Sequence, residues 1–286
     1  MVSEKKKLVK GDAVMAFKIG FTAEKEDKKE KDVTCITPIG AQKARKSVVQ
    51  VYFKEKNTTL PYYNDSFDLR CGDLVYVEGK LEGVRGRVTG VSYSFKIKLS
   101  DYKRVTHVIN TDVHGNFFMA GSHFVTFERG ALTPAQALSW FKAPLNDEEE
   151  FISGKDTDDL FPLDSLVDMN VSAQIAERGH EYYMENRVKY LSLDGSKGYA
   201  IVEGGESYEV EFEYSGGNIS SMVCSCFCGG KCKHEFAAML QLQETLTLIE
   251  KNYAKEFSRT GCFAAIAKGT LFELAIDTKE SGSFTL

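Results

Sequence analysis

The chain has 286 residues, of which 43% are apolar, 27% charged and 12% aromatic, the balance of an ordinary globular protein. No apolar run approaches the roughly 20 residues that a membrane-spanning helix requires, so no membrane partner is expected. The net charge of −5 hides an asymmetry: residues 1–145 carry 24 Lys+Arg against 16 Asp+Glu, a net of +8, and residues 146–286 carry 12 against 25, a net of −13.

A phosphate backbone would therefore meet the first half of the chain. The length predicts two folded units. Residues 1–44 read as a flexible arm with room for a first strand, its charges densest in AEKEDKKEKD at 23–32. Lysines open the chain, but no apolar core precedes Gly11 and Asp12. No signal peptide is expected, and a cytoplasmic location is.

Residues 45–145 read as β-rich. VVQVYF at 48–53 is β-branched and aromatic, CGDLVYVEG at 71–79 runs from a turn into an apolar strand, and GVRGRVTGVSYSFKIKL at 83–99 alternates. Glycines at 72, 79, 83, 86 and 90 supply turns or bulges. The pattern predicts a small, strongly curved antiparallel sheet or barrel. A further hairpin is expected over 107–127, turning at His114-Gly115-Asn116. A short helix follows in LTPAQALSWF at 132–141, with Thr133 as its N-cap and Pro134 at its first position. Residues 146–170 hold nine acidic residues against one lysine and read as the linker between units.

The second unit spans 171–250. SAQIAERGHEYYMENRV at 172–188 has helical spacing, and RVKYLSLD and GYAIVEG are strands about a turn at Asp194-Gly195. SYEVEFEYS at 207–215 puts Tyr208, Val210, Phe212 and Tyr214 on one face and glutamates on the other. ISSMVCSC leads into a cysteine knuckle, HEFAAMLQLQETLTLIE at 234–250 is a helix, and 251–286 is a C-terminal extension. The fold class expected is α+β.

Cysteine placement is uneven. Cys224, Cys226, Cys228 and Cys232 fall within nine residues, whereas Cys35, Cys71 and Cys262 are scattered. A disulfide framework would spread its cysteines over the unit it staples. The cluster instead points to metal coordination by thiolates in a reducing compartment.

Tetrahedral zinc takes four nitrogen or sulfur donors, and CSCFCGGKCKH at 224–234 can supply them. Cys224 and Cys226 offer two thiolates from one turn at a strand end. Gly229-Gly230 is expected to let the chain fold back without a Cβ penalty. Cys232, with His234 from the first turn of the next helix, completes the set. Three thiolates and a neutral imidazole leave a Zn2+ site charge of −1, which Lys231 and Lys233 can offset. A closed set of four donors is a structural site whose binding is coupled to folding. Cys228 is a fifth donor and stays open as an alternative ligand. Cys224 and Cys226 are preferred because they leave the longer loop to Cys232. Buried or redox-active thiols are the other reading of the cluster.

The order Cys-x-Cys, spacer, Cys-x-His resembles the SWIM-type zinc finger. IAERGHEYYMENRVKYLSLD resembles that family's leading helix and first strand, and CKHEFAAMLQL resembles its Cys-Lys-His and alanine-leucine helix. The resemblance covers about residues 172–246, and Cys228 departs from it. It implies an interaction module for DNA or protein, of the kind found beside chromatin-remodelling-type helicases, transposases and kinases. No such engine is legible in the chain: no GxxxxGK[ST] loop occurs, and the Gly-Lys pairs at 79–80, 154–155 and 230–231 are not followed by Ser or Thr. Over a shorter match, LPYYNDSFDLRCGDLVYVEGKLEGVRGRVTGV at 60–91 resembles the N-terminal β-domain of the primosomal replication helicase.

Along the same stretch Arg70, Lys80, Arg85, Arg87, Lys96, Lys98, Lys103 and Arg104 interleave with Tyr62, Tyr63, Tyr76, Tyr93 and Phe95. Basic groups with exposed aromatics suit single-stranded nucleic acid, by phosphate attraction and base stacking. The first six basic residues are the expected contacts. In the other reading the aromatics fill the barrel and the lysines keep it soluble. Two function classes follow. One is a non-enzymatic zinc protein of DNA transactions, with the β-rich unit on the strand. The other is an adaptor whose acidic half docks on a helicase- or transposase-type protein. Catalysis is not expected: His107, His114, His123 and Asp112 lie at spacings that could cluster, but no nucleophile elbow accompanies them.

Overall fold

A computed structural model of the chain describes residues 18–21, 44–144, 154, 160–276 and 282–285. Most of the expected arm, Cys35 and nearly all of the acidic run at 146–159 lie outside the described residues. The architecture is mixed α and β, built on antiparallel sheets with few helices.

β1 (Lys18–Phe21) pairs antiparallel with the chain's last strand, Lys18 lying opposite Thr285. The next five strands form one sheet: β2 (Ser47–Phe53), β3 (Thr58–Asn64), β4 (Leu74–Val77), β5 (Gly86–Ser92) and β6 (Val105–Val108), in the order β3-β2-β5-β4-β6. Period-2 alternation in β2 sends Val49, Val51 and Phe53 to the interior, where they meet Leu69, Val75, Val77, Val88 and Val105. β3 was hard to foresee because Pro61 interrupts it; it sits opposite Gln50 with its side chain exposed. A parallel bridge between Tyr63 and Arg104 draws the two edges of this sheet together.

The remaining elements are β7 (Phe118–Ala120), β8 (His123–Thr126), α1 (Pro134–Ser139), β9 (Phe161–Pro162), α2 (Ala173–Met184), β10 (Val188–Asp194), β11 (Lys197–Glu203), β12 (Ser207–Ser215), β13 (Asn218–Cys224), α3 (Lys233–Thr260), β14 (Cys262–Ala267), α4 (Lys268–Leu271) and β15 (Gly282–Thr285). An eight-stranded sheet collects most of these strands in the order β7-β8-β14-β10-β11-β12-β13-β9. Two placements differ from the sequence reading. The hairpin of 107–127 turns at Gly121-Ser122 rather than at 114–116, with Ala120 opposite His123, and it joins this second sheet. CFAAIA, within the expected C-terminal extension, is a central strand between β8 and β10. Helical structure also continues to Thr260 across a kink at Tyr253, whose φ of −137° and ψ of 26° are non-helical, and Gly261, with a φ of 63°, caps it through a bond from its N–H to the Phe257 carbonyl.

The eight-stranded sheet is covered on both faces. α2 and α3 lie on one, where Ala237, Ala238, Met239 and Leu242 pack on Leu191, Leu193, Val202, Val210 and Phe212. On the other face Tyr190, Ile201 and Ile266 meet Leu132, Ala137 and Trp140, and Leu74 and Tyr76 of β4 join the same cluster. Hydrogen bonds span this junction from the Tyr76 hydroxyl to the Ser139 carbonyl (3.1 Å) and from the Arg85 guanidinium to the Trp140 carbonyl. The two sheets therefore share a core.

Candidate metal centre

Cys224 ends β13, and its aim is set by an irregularity upstream. β12 and β13 shift register between Glu211 and Glu213, and Ser221 takes a φ of 52°, rare for a residue with a side chain. Past the bulge Val210 faces Cys224, and the ladder continues to Ser225, whose N–H donates to the Glu209 carbonyl (2.9 Å). Cys232 is the N-cap of α3, and its N–H donates to the Glu235 carboxylate at 2.7 Å. His234, the second residue of the helix, is thereby fixed in place beside the strand end.

Four donors converge there. The ligand atoms of Cys224, Cys226, Cys232 and His234 all lie within 4.8 Å of one another. His234 presents Nδ1, which stands 3.8 Å from the Cys224 sulfur and 3.8 Å from the Cys232 sulfur. With sulfur about 2.3 Å and nitrogen about 2.0–2.1 Å from a tetrahedral ion, neighbouring donors sit roughly 3.5–3.8 Å apart. The group can hold a metal ion. It is the one such cluster of three or more His, Cys, Asp or Glu among the described residues. Cys228 is exposed and lies outside it, and the six described cysteines are all free thiols.

The imidazole and the thiols shift in opposite directions. Burial pushes the His234 imidazole down to about 4, with Lys233 and Arg178 adding to the shift, which keeps the ring in its neutral, ligating form. Burial also pushes the Cys226 thiol up to about 12, and contact with Cys224 followed by burial raises Cys232. Thiols held in so crowded a space lose their protons when a divalent ion replaces them.

The flanking residues make contacts of their own. The Lys231 ammonium donates to the Met169 carbonyl at 2.6 Å, tying the knuckle to the turn before α2, and Lys233 lies 4.6 Å over the Tyr182 ring. Gly229 and Gly230 are outside the left-handed region, and a Cβ at either would meet open space. The fold-back needs no glycine at those positions. Tyr208 and Tyr182 flank the His234 ring at centroid distances of 4.1 and 5.5 Å. Sequence reasoning missed their role, because alternation marks Tyr208 only as one of a strand's inward faces. Phe227 at the knuckle tip is fully exposed.

The residues expected to contact nucleic acid divide into groups. Arg85 is half-buried and directed at the Trp140 carbonyl, and Arg87 is half-buried on β5. Arg70 is exposed, 3.9 Å from the Asp68 carboxylate, and Lys80 is exposed. Lys96 and Lys98 are exposed in the segment after β5, together with Tyr93 and Phe95. The Arg45 guanidinium covers the Tyr93 ring at 3.8 Å, and Phe95 meets Tyr63 edge-on at 6.1 Å. Tyr62 and Tyr76 are buried in the apolar clusters and Tyr63 is buried against Phe95 and Arg104, so none offers an open face for stacking.

The histidines do not converge on a site. His107 lies on β6 of the five-stranded sheet, and His123 is buried on β8 of the other sheet, bonded to Ser122 and to the Val188 carbonyl. Compared with protein-family models, with curated proteins and with solved structures, the chain finds no match in any of the three.

Proposed function

We propose that the chain is a zinc-dependent, non-enzymatic interaction protein that takes part in DNA transactions. The observation that carries this is the set of four convergent donors, three sulfurs and one nitrogen, held by two different elements. That donor set suits Zn2+, whose preference for thiolate and imidazole in a closed tetrahedron distinguishes it from the harder cations. Zinc there would hold β13 to the start of α3 and stabilise the unit. The Cys-x-Cys and Cys-x-His order, with its leading helix and alanine-rich closing helix, supports reading residues 172–246 as a SWIM-like module.

The β-rich unit, read as a closed small barrel, would contact single-stranded nucleic acid. Support comes from exposed Phe95, and from exposed Tyr93 with Arg45 over one ring face, beside exposed Lys96 and Lys98: aromatic surface for bases next to cations for phosphates. Arg70 and Lys80 would extend the contact, whereas the inward hydrogen bond of Arg85 argues for a structural duty there. A second reading is favoured by Phe227, a fully exposed aromatic at the tip of the knuckle. In that reading the acidic half is an adaptor for a helicase- or transposase-type protein, with no nucleic acid contact.

The full chain should be tested, since the two sheets share a core. Binding to a fluorescent single-stranded DNA oligonucleotide should weaken steeply from low to moderate salt. Lys96→Glu with Lys98→Glu should abolish it while leaving the metal content unchanged. Absence of binding at low salt sinks the nucleic acid reading and leaves the adaptor.

A further inference from the structure

One nitrogen of the centre lacks a partner. His234 turns Nδ1 toward the Cys224 and Cys232 sulfurs, so in the neutral ring the proton belongs on Nε2. Nε2 is buried and has no hydrogen-bond partner in the protein. A metal-bound histidine almost always donates its second N–H to a carboxylate, a carbonyl or water, and that bond fixes the ring. Among the described residues no carboxylate or carbonyl does so here.

Tyr208 is placed to do so. Its ring lies 4.1 Å from the His234 ring, centroid to centroid, with the planes 17° from parallel. An imidazole bound to a dication is electron-poor, and the face of a phenol ring is electron-rich, so stacking gains when the metal is present. Tyr182 closes the pocket at 5.5 Å and 59°. Gly204 makes room: a Cβ there would stand 2.8 Å from the Tyr208 ring and 3.4 Å from Nε2. No positive φ requires glycine at that position, so the requirement is space.

We propose that Tyr208 is the positioning residue of His234, holding the imidazole by face-to-face stacking where a hydrogen-bond acceptor ordinarily stands, with Gly204 kept small to admit the ring. This rests on the metal reading above. It assigns the ligating atom as Nδ1 and makes the metal's residence depend on an aromatic surface on β12, the strand paired with β13.

The test is zinc release from the full, zinc-loaded chain to a chromogenic chelator, with Tyr208→Phe, Tyr208→Leu and Gly204→Ala compared with wild type. Tyr208→Phe keeps the aromatic face and should release at the wild-type rate. Tyr208→Leu fills similar space without that face and should release about tenfold faster or more, within the range seen when metal-site support residues are removed. Gly204→Ala retains Tyr208 but displaces it, and should also accelerate release, which keeps the test decisive if the leucine variant fails to fold. Ring 15N shifts of His234 should report metal on Nδ1 and a proton on Nε2. Wild-type release rates in both Tyr208→Leu and Gly204→Ala, or metal on Nε2, overturn the inference while leaving the zinc site intact. A wild-type chain that takes up no zinc removes the metal reading first and this inference with it.

Discussion

Gly179 of α2 stands so close to Phe236 of α3 that a Cβ at position 179 would lie 2.8 Å from the Phe236 Cβ and 3.0 Å from the Lys233 carbonyl oxygen. The contact falls in the first turn of α3, beside His234. Helices with a glycine at their crossing point can approach more closely than side chains normally allow. Gly179→Ala should therefore force the helices apart at the end that carries His234, at a cost of about 1–3 kcal/mol from overpacking. Chemical denaturation should show a lower midpoint with an unchanged slope, and zinc affinity should fall in parallel. A midpoint equal to wild type would mean that α2 shifts without strain.

The ligand assignment makes its own forecast. Cys224→Ser, Cys226→Ser and Cys232→Ser each remove one of the converging donors and should yield protein without stoichiometric zinc. Cys228 is exposed outside the cluster, so Cys228→Ser should keep the metal. Chelation of wild-type zinc should loosen the end of β13 and the first turn of α3, raising amide exchange there, because binding and local folding are linked. Retention of metal by Cys224→Ser alongside its loss from Cys228→Ser would reverse the assignment.

His123 supplies a pH dependence independent of the metal. Its Nε2 donates to the Val188 carbonyl at 2.8 Å, since a carbonyl only accepts, and its Nδ1 accepts from the Ser122 hydroxyl at 2.9 Å. Burial pushes its pKa down to about 4 from 6.5. The unfolded chain then binds the proton first as pH falls, so this contribution to stability is complete above about pH 6.5. It is lost progressively toward pH 4 and flat below, a total of about 3 kcal/mol. His123→Gln should show a shallower stability slope than wild type between pH 6.5 and 4. Equal slopes in the two proteins would assign the acid sensitivity elsewhere.

The centre was legible in the sequence because its ligands are local: four residues within eleven positions, spaced as a strand end and a helix start. Local signals elsewhere were legible for the same reason, as with Thr133 capping α1 through a bond from the Gln136 N–H. Long-range relations were not. Nothing in CFAAIA says that it pairs with both β10 and β8, although its unbroken apolar run, bounded by Gly261 and Lys268, is what a strand buried on both faces requires. Interleaved tyrosines and basic residues could not reveal that Tyr62, Tyr63 and Tyr76 are buried while Tyr93 is exposed. The Tyr208 stack on His234 depends on how a bulge in β13 aims the knuckle, a feature with no local signature.

Trp140 offers a test of whether the two sheets fold together. It is the only tryptophan in the chain, it is fully buried, and it packs in the cluster that joins Leu74 and Tyr76 of one sheet to Tyr190, Ile201 and Ile266 of the other. Its indole N–H donates to the Asn110 carbonyl at 2.8 Å, and its own carbonyl accepts from Arg85. Two independent units would melt separately, and the tryptophan would report only one of them. A shared core predicts that tryptophan fluorescence and far-ultraviolet circular dichroism follow a single coincident transition. Trp140→Phe preserves an aromatic but loses the hydrogen bond and part of the volume, and should lower that transition as a whole by about 1–3 kcal/mol. If the dichroism of the variant splits into two steps, with the eight-stranded sheet melting at its original midpoint, the junction is a contact between separately stable units.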